Sequence, residues 1–217
     1  MHQKVVIWGA GGHALVVADI IRLQGNYEIA GFLDDVDKNR LGTKFCGAFI
    51  LGGQEQLEVL SLSDVEYVIM AIGDCEARLR SAELARARRF SFATAIHPHA
   101  TIAADTSIGS GTVIAAAAVI NPGARIGENV LINTSASIDH ECIIEDGVHI
   151  SPGVHLGGNV KVGRGTLVGI GAVVKARVRI GEGAVIGAGA VVVRDIPDRV
   201  VAYGVPARIR RSFAANE

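Results

Sequence analysis

Residues 114–149 read IAAAAV INPGAR IGENVL INTSAS IDHECI IEDGVH, and every block of six opens on isoleucine. The column runs on in both directions without exception. Seventeen consecutive hexads over residues 96–197 begin with Ile, Leu or Val, from Ile96, Ile102 and Ile108 to Ile186 and Val192. The fifth place is small or β-branched, as in Ala100, Thr106, Thr112, Ala118, Ala124, Val130 and so on to Ala190, with only Ile196 large. Turn formers fill the fourth place: Gly111, Gly123, Gly147, Gly153, Gly165, Gly171, Gly183 and Gly189, with Asn129 and Asn159 standing in elsewhere. Gly and Asn tolerate positive φ. A period of six fits neither a 3.6-residue helix nor a long period-2 strand. It suits short strands that turn a corner every hexad and stack into a parallel β-helix.

The 217 residues can hold one large or two modest domains, and a formal net charge of -1 gives no electrostatic reason to expect nucleic acid or an anionic membrane as partner. The opening Met1-His2-Gln3-Lys4 runs straight into a short apolar strand. No signal peptide is expected there, and no apolar run approaches the length of a transmembrane helix. Cys46, Cys75 and Cys142 have no metal-type spacing and are odd in number, so they read as free thiols of a cytoplasmic protein.

Residues 1–95 follow another grammar, that of a small β/α unit with a parallel sheet. Strands are expected at 5–8, 29–33 and 67–72, and helices at 13–23, 54–60 and 76–88. Phe90-Ser91-Phe92-Ala93 should carry the chain into the first hexad, which places the β-helix domain and its C-terminal tail at 96–217.

After the first strand comes Gly9-Ala10-Gly11-Gly12-His13-Ala14, a dinucleotide fingerprint with Ala in the third position, and Asp34 follows Ala14 by twenty residues. A dinucleotide fold needs two mononucleotide halves, and this domain has room for about one. One half still offers a phosphate the bare backbone amides of a helix N-terminus. A nucleoside diphosphate, as the handle of a nucleotide sugar, is therefore preferred to NAD.

The hexads alone resemble the hexapeptide-repeat acyltransferases, whose left-handed β-helix takes three hexads per coil, a rare exception to right-handed crossovers. A glycine loop ending in Gly12-His13, a strand ending in Asp34-Asp35, Ala71-Ile72-Gly73-Asp74, Ile96-His97-Pro98 and Asp139-His140-Glu141-Cys142 extend the likeness over nearly the whole chain. Together they resemble the bacterial nucleotide-sugar acetyltransferases, a group spanning N-acetyltransferases of 4-amino-4,6-dideoxy sugars and sialic acid O-acetyltransferases. The resemblance implies an acetyl-CoA-dependent enzyme of surface glycan or glycoprotein biosynthesis, trimeric, with sites in the clefts between prisms. It implies His140 as catalytic base, Glu141 as the group raising its basicity, and His149 near acetyl-CoA, with Ile170 and Ala188 touching CoA through main chain. Gly11, Gly12, His13, Asp34, Asp35 and Gly73 would hold the nucleotide sugar.

The residues themselves carry part of this. His140 and Glu141 occupy the third and fourth places of their hexad, at an outward corner, while His149 is outward on a strand. Adding 18 to Asn133 gives Ser151, so the strand of Asn133 should lie beside that of His149. Acyl transfer to an amine needs a proton acceptor, and an imidazole suits that near neutral pH. Backbone N–H groups around Gly157-Gly158 and His149 are alternative oxyanion donors. No Cys or Ser has a nucleophile setting, so direct transfer is expected. Three rivals stand behind N-acetylation: O-acetylation of a sialic acid or related sugar, a zinc enzyme, and a silent nucleotide-sugar scaffold. No metal is expected, since His140, His149 and His155 fall on different corners or faces.

Overall fold

The computed structural model describes residues 3–213; the ends of the two expected domains, 1–2 and 214–217, lie outside the described residues. The chain divides into two compact units, Met1–Pro98 and His99–Glu217.

The first unit is a six-stranded sheet with three helices: β1 (Gln3–Trp8), α1 (Gly12–Gln24), β2 (Tyr27–Leu33), β3 (Lys44–Phe45), β4 (Ala48–Gly52), α2 (Gln56–Ser61), β5 (Val65–Met70), α3 (Cys75–Ala87) and β6 (Ser91–Phe92). The strand order is β3-β4-β2-β1-β5-β6, parallel except for the β3–β4 hairpin. Val5, Val6, Ile7 and Trp8 of β1 are all buried, as befits a central parallel strand covered on both faces. Val6 and Trp8 pack with Leu57 of α2 and Ala82 and Ala85 of α3. On α1 the buried residues Ala14, Val17, Ala18 and Ile21 recur at helical spacing, which gives it one apolar face. Gly25, in the left-handed conformation, ends that helix by donating its N–H to Ile21 O at 3.1 Å.

Two expectations change here. Ser91–Phe92 does not merely lead into the hexads; it adds β6 to the sheet edge, parallel to β5. The β3–β4 hairpin was not foreseen, because its turn at Cys46 and Gly47 is made from two positive-φ residues of which only one is glycine.

The second unit is the stacked helix that the hexads predict. Each strand is two residues long, the sixth place outward and the first inward, and pairs in parallel with the strand 18 residues on, as Val113 with Leu131, Val119 with Ser137 and Arg125 with Ile143, until the last coil, where Ile180 meets Ile196 and Val185 meets Val201 at a spacing of 16. Three hexads therefore close one coil, and three sheets form the faces of a prism. Ile114, Ile132, Ile150, Val168 and Ile186 are buried along one face, and the other faces repeat the pattern. Truncating one such side chain to alanine costs about 2–5 kcal/mol.

The fifth place carries three threonines; the Thr106 hydroxyl is buried without a hydrogen-bond partner, whereas the fully buried Thr112 and Thr166 are both satisfied. Thr112 Oγ1 donates to Gly127 O at 2.9 Å and accepts from Val130 N at 3.1 Å; Thr166 Oγ1 donates to Gly181 O at 2.6 Å and accepts from Ala184 N at 3.1 Å. Buried hydroxyls without such partners would cost stability. Beyond the hexads the chain forms not a loose tail but a hairpin, Val200–Tyr203 continuing one face and Arg208–Ser212 pairing with it antiparallel.

From residue 111 to residue 189 the fourth place of every hexad has positive φ. Glycine and asparagine supply most of these positions. Ala117, Ser135, Glu141 and Arg177 adopt the same conformation without that license, because coil closure imposes it whatever the residue. Of these, Glu141 alone was already a candidate for chemistry.

Candidate active site

His140 and Glu141 form one corner turn, between the strands Ser137–Ile138 and Ile143–Ile144. His140 Nδ1 lies 3.2 Å from Glu141 Oε2. A carboxylate only accepts, so the imidazole donates from Nδ1 and keeps its lone pair on Nε2. Both side chains are more than half exposed, at 55% and 65%. Asn159, one coil on, donates from Nδ2 to the same Glu141 oxygen at 3.0 Å. That bond, followed by the one from His140, holds the Glu141 carboxyl below its ordinary pKa and keeps it ionised near neutrality. Asp139 is held low in the same direction, first by the His140 backbone N–H at 2.8 Å and then by Asn121 Nδ2 at 3.0 Å.

Glycines give this corner its room. A Cβ at Gly158 would come within 2.4 Å of His140 Nε2, and one at Gly123 within 3.2 Å of Glu141 Cγ. Below the pair, along the same prism edge, a solvent-open groove of about 550 Å³ is lined by His140, Asn159, Lys175, Arg177 and Arg194, with Asp195 as its one carboxylate. Three cations against one anion make it a basic groove starting at the imidazole.

Other candidates lie elsewhere on the prism. His149 sits outward on a neighbouring face, where its Nε2 is 2.9 Å from Asn133 Nδ2, in the register that the 18-residue repeat predicts. Ile170 and Ala188 are at turns of another edge, and Ile170 is 62% exposed. Gly158 belongs with His140, whereas Ile170, Ala188 and His149 are not joined to that corner within one chain. His155 bonds Ser137 Oγ at 2.7 Å on a third location. Among the described residues, no group of three or more His, Cys, Asp or Glu is placed to hold a metal ion. Cys142, next to Glu141, is fully buried, and burial pushes its thiol up to about 11.

In the first unit, β1 and β5 are neighbours while their following elements run to opposite sides, so their carboxyl ends flank a topological switch point. The glycine loop follows β1, and residues 71–74 follow β5. Gly9 has φ +124°, and a Cβ there would meet Ala71 O at 2.6 Å, so its role is close packing of these two loops. At Gly11, Gly12 and Gly73 an added Cβ would meet nothing within 4 Å. These three, with half-buried His13 behind them, border open space at the N-terminus of α1.

Asp34 and Asp35 stand beside that loop, engaged by the protein. Asp34 is buried, accepts from Val36 N at 3.0 Å and pairs with Arg40 at 2.8 Å; Arg40 also donates to Ala10 O at 2.9 Å. Asp35 accepts from the Trp8 indole and from Gln54 N, each at 2.6 Å. Sequence reasoning missed Arg40 and Arg78. The latter is fully buried and donates to Ile72 O at 2.7 Å and Gly73 O at 3.1 Å, which secures the second loop. It also missed Asn159 and the cations of the groove. Adding 18 to Glu141 would have found Asn159.

Comparison with known proteins places this architecture. Residues 4–84 match the PglD N-terminal domain family, and residues 123–158 and 159–194 match the bacterial transferase hexapeptide family, defined by six repeats. A search of the curated proteins finds no match. Among solved structures, a histidine-to-alanine variant of GDP-perosamine N-acetyltransferase from Caulobacter crescentus, in complex with CoA and GDP-perosamine, is 36% identical. The match covers 96% of this chain and 97% of that one with a TM-score of 0.92. The acetyltransferase domain of PglB from Neisseria gonorrhoeae, in complex with acetyl coenzyme A, is 37% identical over 97% of this chain and 100% of its own, TM-score 0.90. WeeI from Acinetobacter baumannii is 26% identical over 95% and 99%, TM-score 0.84. The class is thus a hexapeptide-repeat transferase carrying a PglD-type N-terminal domain. The chain belongs to the nucleotide-sugar acetyltransferase family of that class, and its prism is the family's left-handed β-helix.

Proposed function

We propose that this chain transfers the acetyl group of acetyl-CoA to the amine of a nucleotide-linked amino sugar of the 4-amino-4,6-dideoxy type, for bacterial surface glycan or glycoprotein assembly. The observation that carries the reading is the His140–Glu141 pair at the head of a basic groove, in a chain 36% identical to a GDP-perosamine N-acetyltransferase along nearly its whole length.

The amine nitrogen attacks the thioester carbonyl carbon, the C–S bond breaks as the tetrahedral intermediate collapses, and His140 Nε2 takes the proton that the amine sheds. Glu141 stabilises the resulting imidazolium through Nδ1. Much of the rate comes from holding amine and thioester together. Buried Cys142, with its raised pKa, is unsuited to form an acyl-enzyme, which supports direct transfer. Lys175, Arg177 and Arg194 suit the phosphates of the acyl donor, and the open space beside Gly11, Gly12 and Gly73 at the N-terminus of α1 suits the diphosphate of the acceptor.

Within one chain His140 stands apart from His149, Ile170 and Ala188, so we assign the complete site to a homotrimer in which a neighbour's edge supplies the second half. Exposed Ile170, Val173 and Val193 on the prism support burial against other copies. Among the described residues no helix is long and apolar enough to cross a membrane. We place the protein in the cytoplasm, where acetyl-CoA is made.

The test is a panel of UDP-, dTDP- and GDP-linked 4-amino sugars and their 4-hydroxy counterparts with acetyl-CoA, followed by thiol release. Turnover with an amino sugar and none with its hydroxy counterpart is expected. Turnover confined to hydroxyl acceptors would replace N- with O-acetylation, and none with any acceptor would favour a binding scaffold.

A further inference from the structure

We propose that Asn159 is a positioning residue for acetyl transfer, clipping His140 and Glu141 into one arrangement. The inference rests on the reading of His140 as the base. Asn159 bonds both members of the pair at once: its backbone N–H donates to His140 O at 2.8 Å, and its Nδ2 donates to Glu141 Oε2 at 3.0 Å. The same Oε2 faces His140 Nδ1 at 3.2 Å, so one carboxylate oxygen is shared between the amide and the imidazole.

The fold explains why an asparagine can do this. Position 159 is the fourth place of its hexad, at φ 60°, a conformation asparagine accepts better than most residues. Coil stacking puts it 18 residues past Glu141, directly in reach. Glu141 needs such a partner: its side chain is 65% exposed and has three torsions free to rotate. Released by Asn159, it would spend much of its time in other rotamers. The ring would then lose the acceptor that keeps the proton on Nδ1 and the lone pair on Nε2. Asn159 touches neither reacting atom and acts through Glu141.

The experiment is a double-mutant cycle in the full-length protein. Asn159→Gly keeps the left-handed turn and the backbone bond to His140 while removing the side chain. Glu141→Ala removes the group through which Asn159 acts, and His140→Ala reports separately on the base. With acetyl-CoA and the best acceptor of the panel, Asn159→Gly should lower kcat about 5- to 20-fold with both KM values within about 2-fold of the parent. The ascending limb of its pH–rate profile should move to lower pH, because an unheld carboxylate stabilises the imidazolium less. In the Glu141→Ala background the same substitution should have almost no further effect on kcat. Asn159→Asp, which places a second carboxylate beside Glu141 and cannot donate to it, should be slower than parent at neutral pH, with its ascending limb moved to higher pH because the added negative charge stabilises the imidazolium.

Additive losses from Asn159→Gly and Glu141→Ala, or an Asn159→Gly enzyme with parental kcat and pH profile, would overturn the proposal while leaving the base assignment standing. Near-parental turnover by His140→Ala would instead remove the base assignment, and the proposal with it.

Discussion

The ring of His140 lies against Gly158, one coil further along the prism, so that a single added carbon at Gly158 would stand 2.4 Å from Nε2. The contact is with the end of a side chain rather than with backbone, and Gly158 is outside the left-handed region. Gly158→Ala should therefore fold with unchanged or slightly raised Tm, because alanine restricts the unfolded chain. Its ring must move aside, and turnover should fall on the order of 10²-fold. Thermal melting and kcat measured together check this; a Gly158→Ala enzyme of parental activity would show that the ring position is unimportant.

Gly9 and Gly11 belong to one motif but have different tasks. Gly9→Ala forces a collision with Ala71 O and a strained φ, so it should destabilise the protein, with a loss of several degrees in Tm. Gly11→Ala enters open space and should leave Tm unchanged while weakening the nucleotide sugar and sparing acetyl-CoA. Melting curves and calorimetric titrations with each ligand check the division. Equal loss of both affinities in Gly11→Ala would contradict it.

Cys46 and Cys142 should separate by reactivity. At pH 8 a thiol whose pKa is about 11 is ionised to only about one part in a thousand, and Cys142 is also fully buried. Half-buried Cys46 should be labelled by a maleimide while Cys142 stays unmodified until the protein is unfolded. Peptide mass mapping after brief labelling checks this. Rapid labelling of Cys142 in the native protein would reopen an acyl-enzyme route.

The prism was legible to a high degree because its period is set by one physical demand, that an aliphatic side chain return to the interior at every corner. Even the Asn133–His149 contact followed from adding multiples of 18. Less legible were the turns at Ala117, Ser135, Glu141 and Arg177, where coil closure overrides the local preference for glycine. Asp34 and Asp35 carried a binding signature in the sequence, but their bonds with Arg40, Trp8 and backbone N–H groups were not legible there, because those partners are brought in by tertiary structure. Asn159 and the groove cations have no motif of their own. They acquire meaning only from the coil that stacks them beside His140.

A second copy of the chain is required if His140 and the His149–Ile170–Ala188 side are to meet, since they occupy different edges and faces of one prism, and the assembly proposed above is a trimer. Light scattering at micromolar concentration should return three times the mass of the chain. A monomer at that concentration would contradict a site shared between subunits.

His140 as the base is the claim on which the chemical account turns, and turnover by His140→Ala at neutral pH tests it most directly. Its side chain is outward and contributes nothing to the aliphatic column, so the variant should keep its fold and bind both ligands. Loss of a general base typically costs ~10²- to 10⁴-fold in rate. The account predicts kcat lowered within that range with acetyl-CoA and nucleotide-sugar affinities near parental; near-parental kcat would contradict it and pass the proton to His149 or to an amine that arrives deprotonated.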